Sequence, residues 1–172
     1  MKIFLIGYMG SGKSTIGPKL ARALDIPFFD LDKIIEEQEG MTIASFFEQK
    51  GETAFRQLEA DLLRSITLVN DSFLLSTGGG APVFYNNMDF MNEHGLTIYL
   101  EMNPKSLAQR LAPARAGRPL LKHLNNGELE DFVAVKLKER EPFYKKARLI
   151  ISGLSPNANN IASTIKENYQ SK

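Results

Sequence analysis

The chain has 172 residues, 43% hydrophobic and 24% charged, with a formal net charge of +1 and no cysteine. That length fits a single domain, 1–172, with one core, and a charge near zero gives no general attraction for nucleic acid or an anionic membrane. Disulfide scaffolds, thiol nucleophiles and Cys-zinc sites are excluded, and with no run near 18 apolar residues neither a membrane span nor a secretory leader is expected, in keeping with a cytoplasmic protein.

The first apolar run, Ile3 to Ile6, predicts a strand. A helix is expected over Ser14 to Leu24, with Pro18 placed to kink it or tighten its first turn. Pro27 to Phe29 predicts a second strand, followed by Asp30 and Asp32. Thr42 reads as the N-cap of a short helix to Gln49 that Gly51 closes, and a further helix runs from about Glu52 to Ile66. Phe73 to Leu75 is a strand, Asn87 to Glu93 a helix, Thr97 to Leu100 a strand and Lys105 to Leu111 a helix. The segment "APARAGRPLLKHLNNGE" lacks periodicity and reads as a mobile excursion. Leu129 to Lys146 (helix), Leu149 to Ile151 (strand) and Asn157 to Tyr169 (helix) complete the chain. Uniformly apolar strands alternating with helices indicate a parallel sheet covered on both faces, with its ligand site beyond the carboxyl ends of the strands.

Residues just after the strands therefore matter most. Gly7-Tyr8-Met9-Gly10-Ser11-Gly12-Lys13-Ser14 fits G-x-x-x-x-G-K-[ST] between a strand and a helix. Its glycines let backbone N–H groups converge on phosphate oxygens, Lys13 reaches the β- and γ-phosphates, and Ser14 can ligate Mg²⁺. No N-K-x-D, no L-S-G-G-Q and no strand ending in an ordinary Walker B Asp is present, which favours a kinase for a small acceptor. If the chain is still extended at Asp30 and Asp32, both carboxylates face one side; one would bind Mg²⁺ through water and the other accept a proton from a hydroxyl, while the plainer alternative is a helix cap. Read alone, Arg56 three residues before Glu59 is an ion pair on a solvated helix face. Gly78-Gly79-Gly80 is a turn or an anion-binding backbone, and Arg140 a surface charge.

The ordered set "GYMGSGKST", "DLD", "GETAFR", "STGGG", "RPLL" and "REPFYKKA" resembles the shikimate kinase family over nearly the whole chain. The resemblance implies an α/β, three-layer P-loop domain with a central five-stranded parallel sheet, helices on both faces, an acceptor-binding region at about 32–60 and a mobile lid at about 112–127. It implies transfer of the ATP γ-phosphate to the 3-hydroxyl of shikimate on the chorismate route, with Mg²⁺, in a monomer. Gly10, Ser11, Gly12, Lys13, Ser14 and Thr15 would hold ATP, with Arg110 and Pro156 about the adenine. Asp32 would be the base, and Ser14, Asp30 and Asp32 the metal's ligands. Arg56 and Arg140 would bind the acceptor carboxylate beside Gly78, Gly79 and Gly80. Glu59 would orient Arg56, with Ile43, Ala44, Phe47 and Phe55 as the apolar wall. Arg118 would be the lid arginine, with Lys122 and Arg115 as further cations; His94 and His123 are expected to be incidental. The rival readings are a kinase for gluconate or a nucleoside monophosphate, and a non-catalytic nucleotide switch.

Overall fold

The computed structural model describes residues 1–113, 121 and 123–169. Strand β1 (Lys2–Ile6) leads into α1 (Lys13–Leu24), β2 (Phe28–Asp30) and α2 (Leu31–Glu39). The long helix α3 (Ile43–Val69) precedes β3 (Phe73–Ser76), a 3-10 turn (Ala81–Val83) and α4 (Asn87–His94). Then come β4 (Leu96–Glu101), α5 (Pro104–Leu111), α6 (Asn126–Tyr144), β5 (Leu149–Ser152) and α7 (Ala158–Tyr169). The five strands form one parallel sheet in the order β2-β3-β1-β4-β5.

Side chains alternate across a strand, and β1 shows the result. Ile3 and Leu5 join Leu74, Ile98 and Leu100 in a core with Ile16 and Leu20 of α1 and Ile161 and Ile165 of α7. Phe4 and Ile6 point the other way, into a larger core with Phe73, Leu75 and Tyr99 that α2 to α6 cover. Three layers follow from that alternation, because every residue of β1 after Lys2 is buried and apolar.

The helix boundaries have local causes. Thr42 caps α3 by accepting from Ser45 N–H at 3.2 Å, and Gly51 (φ 80°, ψ 170°) leaves the helical region, so α3 consists of the two expected helices meeting at a kink. Asn125 and Glu128 make a reciprocal capping box, bonded at 3.0 and 2.8 Å. The cap starts α6 three residues before the expected Leu129. Helix α2 bears out the helix-cap alternative for Asp30, although no range was expected for it; Leu31 and Ile35 buried and Gly40 in the left-handed C-cap are its further signals. Helix α1 continues through Pro18, and of the two expected effects a tightened first turn is seen: Thr15 N–H bonds the Gly12 carbonyl three residues back at 3.0 Å. Pro18 and Ser14, the residue whose carbonyl loses its helical donor, are both exposed.

Candidate active site

Where β1 ends, the chain needs backbone angles that side chains resist. Gly7, Gly10 and Gly12 have φ of 148°, 80° and 101°, and a Cβ on Gly7 would stand 2.9 Å from Ser11 Oγ and 3.0 Å from the Leu100 carbonyl. The loop closes through Ser11 N–H to the Tyr8 carbonyl at 3.1 Å and opens onto the N-terminus of α1. Lys13 is 9% exposed and its ammonium donates to the carbonyls of Gly7 (2.8 Å) and Tyr8 (3.1 Å). A fixed cation and the positive end of the α1 dipole both favour phosphate here.

A cleft of about 1000 Å³ opens beyond this loop. Gly10, Gly12, Lys13, Ser14 and Thr15 line it along the loop, Arg110 and Pro156 stand at one end, and Asp30, Asp32 and Gly79 at the other. Ser11 is buried beneath the loop, outside the lining. Arg110 is committed to main-chain carbonyls, at 3.3 Å from that of Ser11 and 3.0 Å from those of Gly153 and Leu154, and so ties α5 to the phosphate loop and to the loop after β5.

Asp30 and Asp32 both reach the cleft, but not from an extended chain. Asp30 ends β2 and caps α2, its carboxylate accepting from Lys33 N–H, and Asp32 lies in the helix's first turn. Capping and site geometry are therefore one arrangement. Ser14 Oγ donates to Asp30 Oδ2 at 3.3 Å. These hard oxygens fit Mg²⁺, which favours one or two carboxylates, waters and substrate phosphates. Among the described residues no group of three or more acidic, His or Cys side chains forms a closed metal cage. Burial raises the Asp32 carboxyl above the ordinary range; Lys13 pulls it down and Asp30 pushes it further up.

The solvated-face reading of Arg56 does not hold. Arg56 is 8% exposed and Glu59 0%, and Nη1 meets Glu59 Oε2 at 2.8 Å. The guanidinium carbon lies 4.8 to 5.8 Å from the ring centroids of Phe84, Phe55 and Phe47. Ile43, like Phe47, packs against the larger core, and Ala44 is half-buried in the same turn. Burial pushes Glu59 up to about 7, against the pull of Arg56. The glycine triplet supplies room for these side chains. A Cβ on Gly78 would stand 2.4 Å from Glu59 Oε1 and 2.9 Å from Asp32 Oδ1, one on Gly80 2.5 Å from Arg56 Nη2, and one on Gly79 3.4 Å from Arg140 Nη1. Both arginines and Asp32 thus converge on three consecutive glycines. Among the described residues, the buried side-chain polar atoms without a partner are Tyr8 Oη, Ser11 Oγ, Glu59 Oε1 and Thr77 Oγ1, all on or beside the phosphate loop and the triplet.

Arg115, Arg118 and Lys122 lie outside the described residues. His94 stacks on Phe90 with centroids 4.1 Å apart and Nδ1 2.9 Å from the Phe90 carbonyl, and His123 is exposed. Sequence reasoning missed Phe84, Tyr8 and Tyr144. Phe84 follows the glycine triplet by four residues, a spacing that carries no signal without the 3-10 turn.

The profile of the shikimate kinase family matches residues 9–170. A shikimate kinase of Bacteroides fragilis is 46% identical over 150 residues, 87% of this chain and 83% of that one. The crystal structure of shikimate kinase from Bacteroides thetaiotaomicron superposes with a TM-score of 0.89 at 40% identity, covering 99% of this chain and 98% of that chain. A shikimate kinase from Acinetobacter baumannii in complex with shikimate gives 0.86 at 34%, over 99% and 93%. A match that spans the phosphate loop, the Arg56 helix, the glycine triplet and Arg140 together leaves one conclusion: the chain belongs to the shikimate kinase family.

Proposed function

We propose that this chain transfers the γ-phosphoryl group of ATP to the 3-hydroxyl of shikimate, giving shikimate 3-phosphate on the route to chorismate and the aromatic amino acids. The observation that carries the reading is the buried Arg56, held by Glu59 over Gly80, with Arg140 over neighbouring Gly79. Two planar donor forks beside a glycine backbone suit a carboxylate, each charged hydrogen bond contributing about 1.5–3 kcal/mol. A nucleobase would make poor use of them.

In the proposed reaction the 3-hydroxyl oxygen bonds to the γ-phosphorus as the bond to the bridging β,γ-oxygen breaks, and ADP leaves with that oxygen's charge. Asp32 takes or orients the hydroxyl proton, a role helped by the burial that raises its carboxyl. Lys13 and the first N–H groups of α1 meet the β- and γ-phosphates. Ser14 and Asp30 would hold Mg²⁺, with Asp32 through water; when bound, that ion offsets phosphate charge. Arg110 and Pro156 would flank the adenine, and Arg118 is retained as the cation that closes over the phosphates. The lid at about 112–127 belongs to this proposal too. One chain supplies every residue named, so a monomer is the proposed working state, and a cytoplasmic location is proposed with it.

A coupled ADP-release assay with Mg²⁺, ATP and shikimate, gluconate or nucleoside monophosphates tests the assignment. Shikimate should be the preferred acceptor, with phosphate located on O3 by NMR. Preference for gluconate or a nucleotide would refute it.

A further inference from the structure

Tyr8 is the second residue of the phosphate loop. Its carbonyl helps hold the Lys13 ammonium, while its ring is turned inward and 1% exposed. The Arg140 guanidinium carbon lies 5.3 Å from that ring's centroid. Gly79, where a Cβ would come within 3.4 Å of Arg140 Nη1, borders the guanidinium as well. Four residues on, Tyr144 fixes α6 at this level: its hydroxyl donates to the Gly79 carbonyl and its ring packs at a tilt against Tyr99, with centroids 5.0 Å apart. Among the described residues Arg140 makes no ion pair with any carboxylate, whereas Arg56 has Glu59 and Glu52.

We infer that Tyr8 is a positioning residue for acceptor recognition: the face of its ring seats the Arg140 guanidinium, so the loop that holds the nucleotide also aims the cation that meets the acceptor's carboxylate. The inference rests on the proposed function. Its physical content is a contrast between the two arginines. Arg56 also lies against aromatic rings, but the Glu59 carboxylate that orients it neutralises part of its charge. An aromatic face orients a guanidinium through the ring quadrupole and leaves the full charge for an incoming anion. Among the described residues the hydroxyl of Tyr8 has no hydrogen-bond partner, and burial keeps its proton on despite the nearby Arg140, so the ring acts as a neutral face and not as a phenolate.

The test replaces Tyr8 with phenylalanine and then with mono-, di- and trifluorophenylalanine, which drain the π face while nearly keeping shape and packing. Phenylalanine should leave the shikimate KM within about twofold of wild type, and the fluorine series should raise it stepwise to about five- to tenfold, inside the range expected for a cation–π contact. The value of kcat and the KM for ATP should each move less than about twofold, since neither senses the ring face. In an Arg140→Ala background the same series should be flat. A flat series with Arg140 present would overturn the inference. So would a slope carried by kcat or the ATP KM, a slope that persists without Arg140, or a loss with phenylalanine alone as large as with the trifluoro ring. Failure of the proposed function shows separately, as a wild-type protein that does not phosphorylate shikimate.

Discussion

Replacing Gly80 by alanine should cripple acceptor binding without straining the backbone. Gly80 has φ −89° and ψ −21°, which alanine adopts freely. Its new Cβ, however, would stand 2.5 to 2.6 Å from three atoms of the Arg56 guanidinium, about an ångström inside contact distance. The guanidinium must move, losing its 2.8 Å bond to Glu59 and its seat among Phe47, Phe55 and Phe84. If one charged hydrogen bond to the acceptor goes with it, the loss is about 1.5–3 kcal/mol, or about 10- to 150-fold in kcat/KM for shikimate. Steady-state kinetics at saturating ATP measures this, and the ATP KM should stay within about twofold. Gly127→Ala is the matched control, because its nearest contact would be Asn125 Oδ1 at an ordinary 3.5 Å. Wild-type acceptor kinetics in a folded Gly80→Ala protein would mean that Arg56 does not read the acceptor.

Lys13→Ala should lower turnover at least about a hundredfold in a protein that still folds, with only a modest fall in melting temperature from the loss of the ammonium's bonds to the Gly7 and Tyr8 carbonyls; near-normal kcat would remove the phosphate loop from the mechanism. Glu59 should impose a pH slope on stability. Its carboxyl rises from 4.5 to about 7 on folding, so the folded chain keeps a proton that the unfolded chain has released. The stabilisation is complete below about pH 4.5 and is lost as pH climbs through 7, on the order of 3 kcal/mol in all. Urea titrations across that window should show wild type losing stability relative to Glu59→Gln, and parallel curves would contradict it.

The architecture was legible because strand and helix periods differ and because the strands are apolar throughout. Ile3 to Ile6 shows this, since no solvated face interrupts its pattern. No range was expected for helix α2 because Asp30 and Asp32 drew attention as a chemical pair, although Asp30 is also an N-cap and Gly40 a C-cap. The sequence offers the cap and the site as alternatives, whereas one carboxylate can serve as both. Arg56 and Glu59 show the opposite limit. Their spacing is common to countless surface helices, and only the packing of Phe47, Phe55 and Phe84 around the guanidinium separates a buried pair from a solvated one. The glycine triplet was read as space for a ligand, and much of that space belongs to Arg56, Glu59, Asp32 and Arg140. Contacts between residues so far apart in sequence leave no local trace.

The sheet order also sets a schedule for the growing chain. Strand β1 is synthesised well before both of its neighbours, which pair Phe73 with Lys2 and Leu96 with Ile3. At about 5–20 residues per second, the apolar Ile-Phe-Leu-Ile run waits about 5–20 s for its second partner strand. Throughout that interval it is an unpaired sheet edge, competent to pair with another nascent chain, and long-range parallel pairing is slow to end the exposure. The segment that makes the nucleotide site possible is therefore also the one most in need of shielding during synthesis.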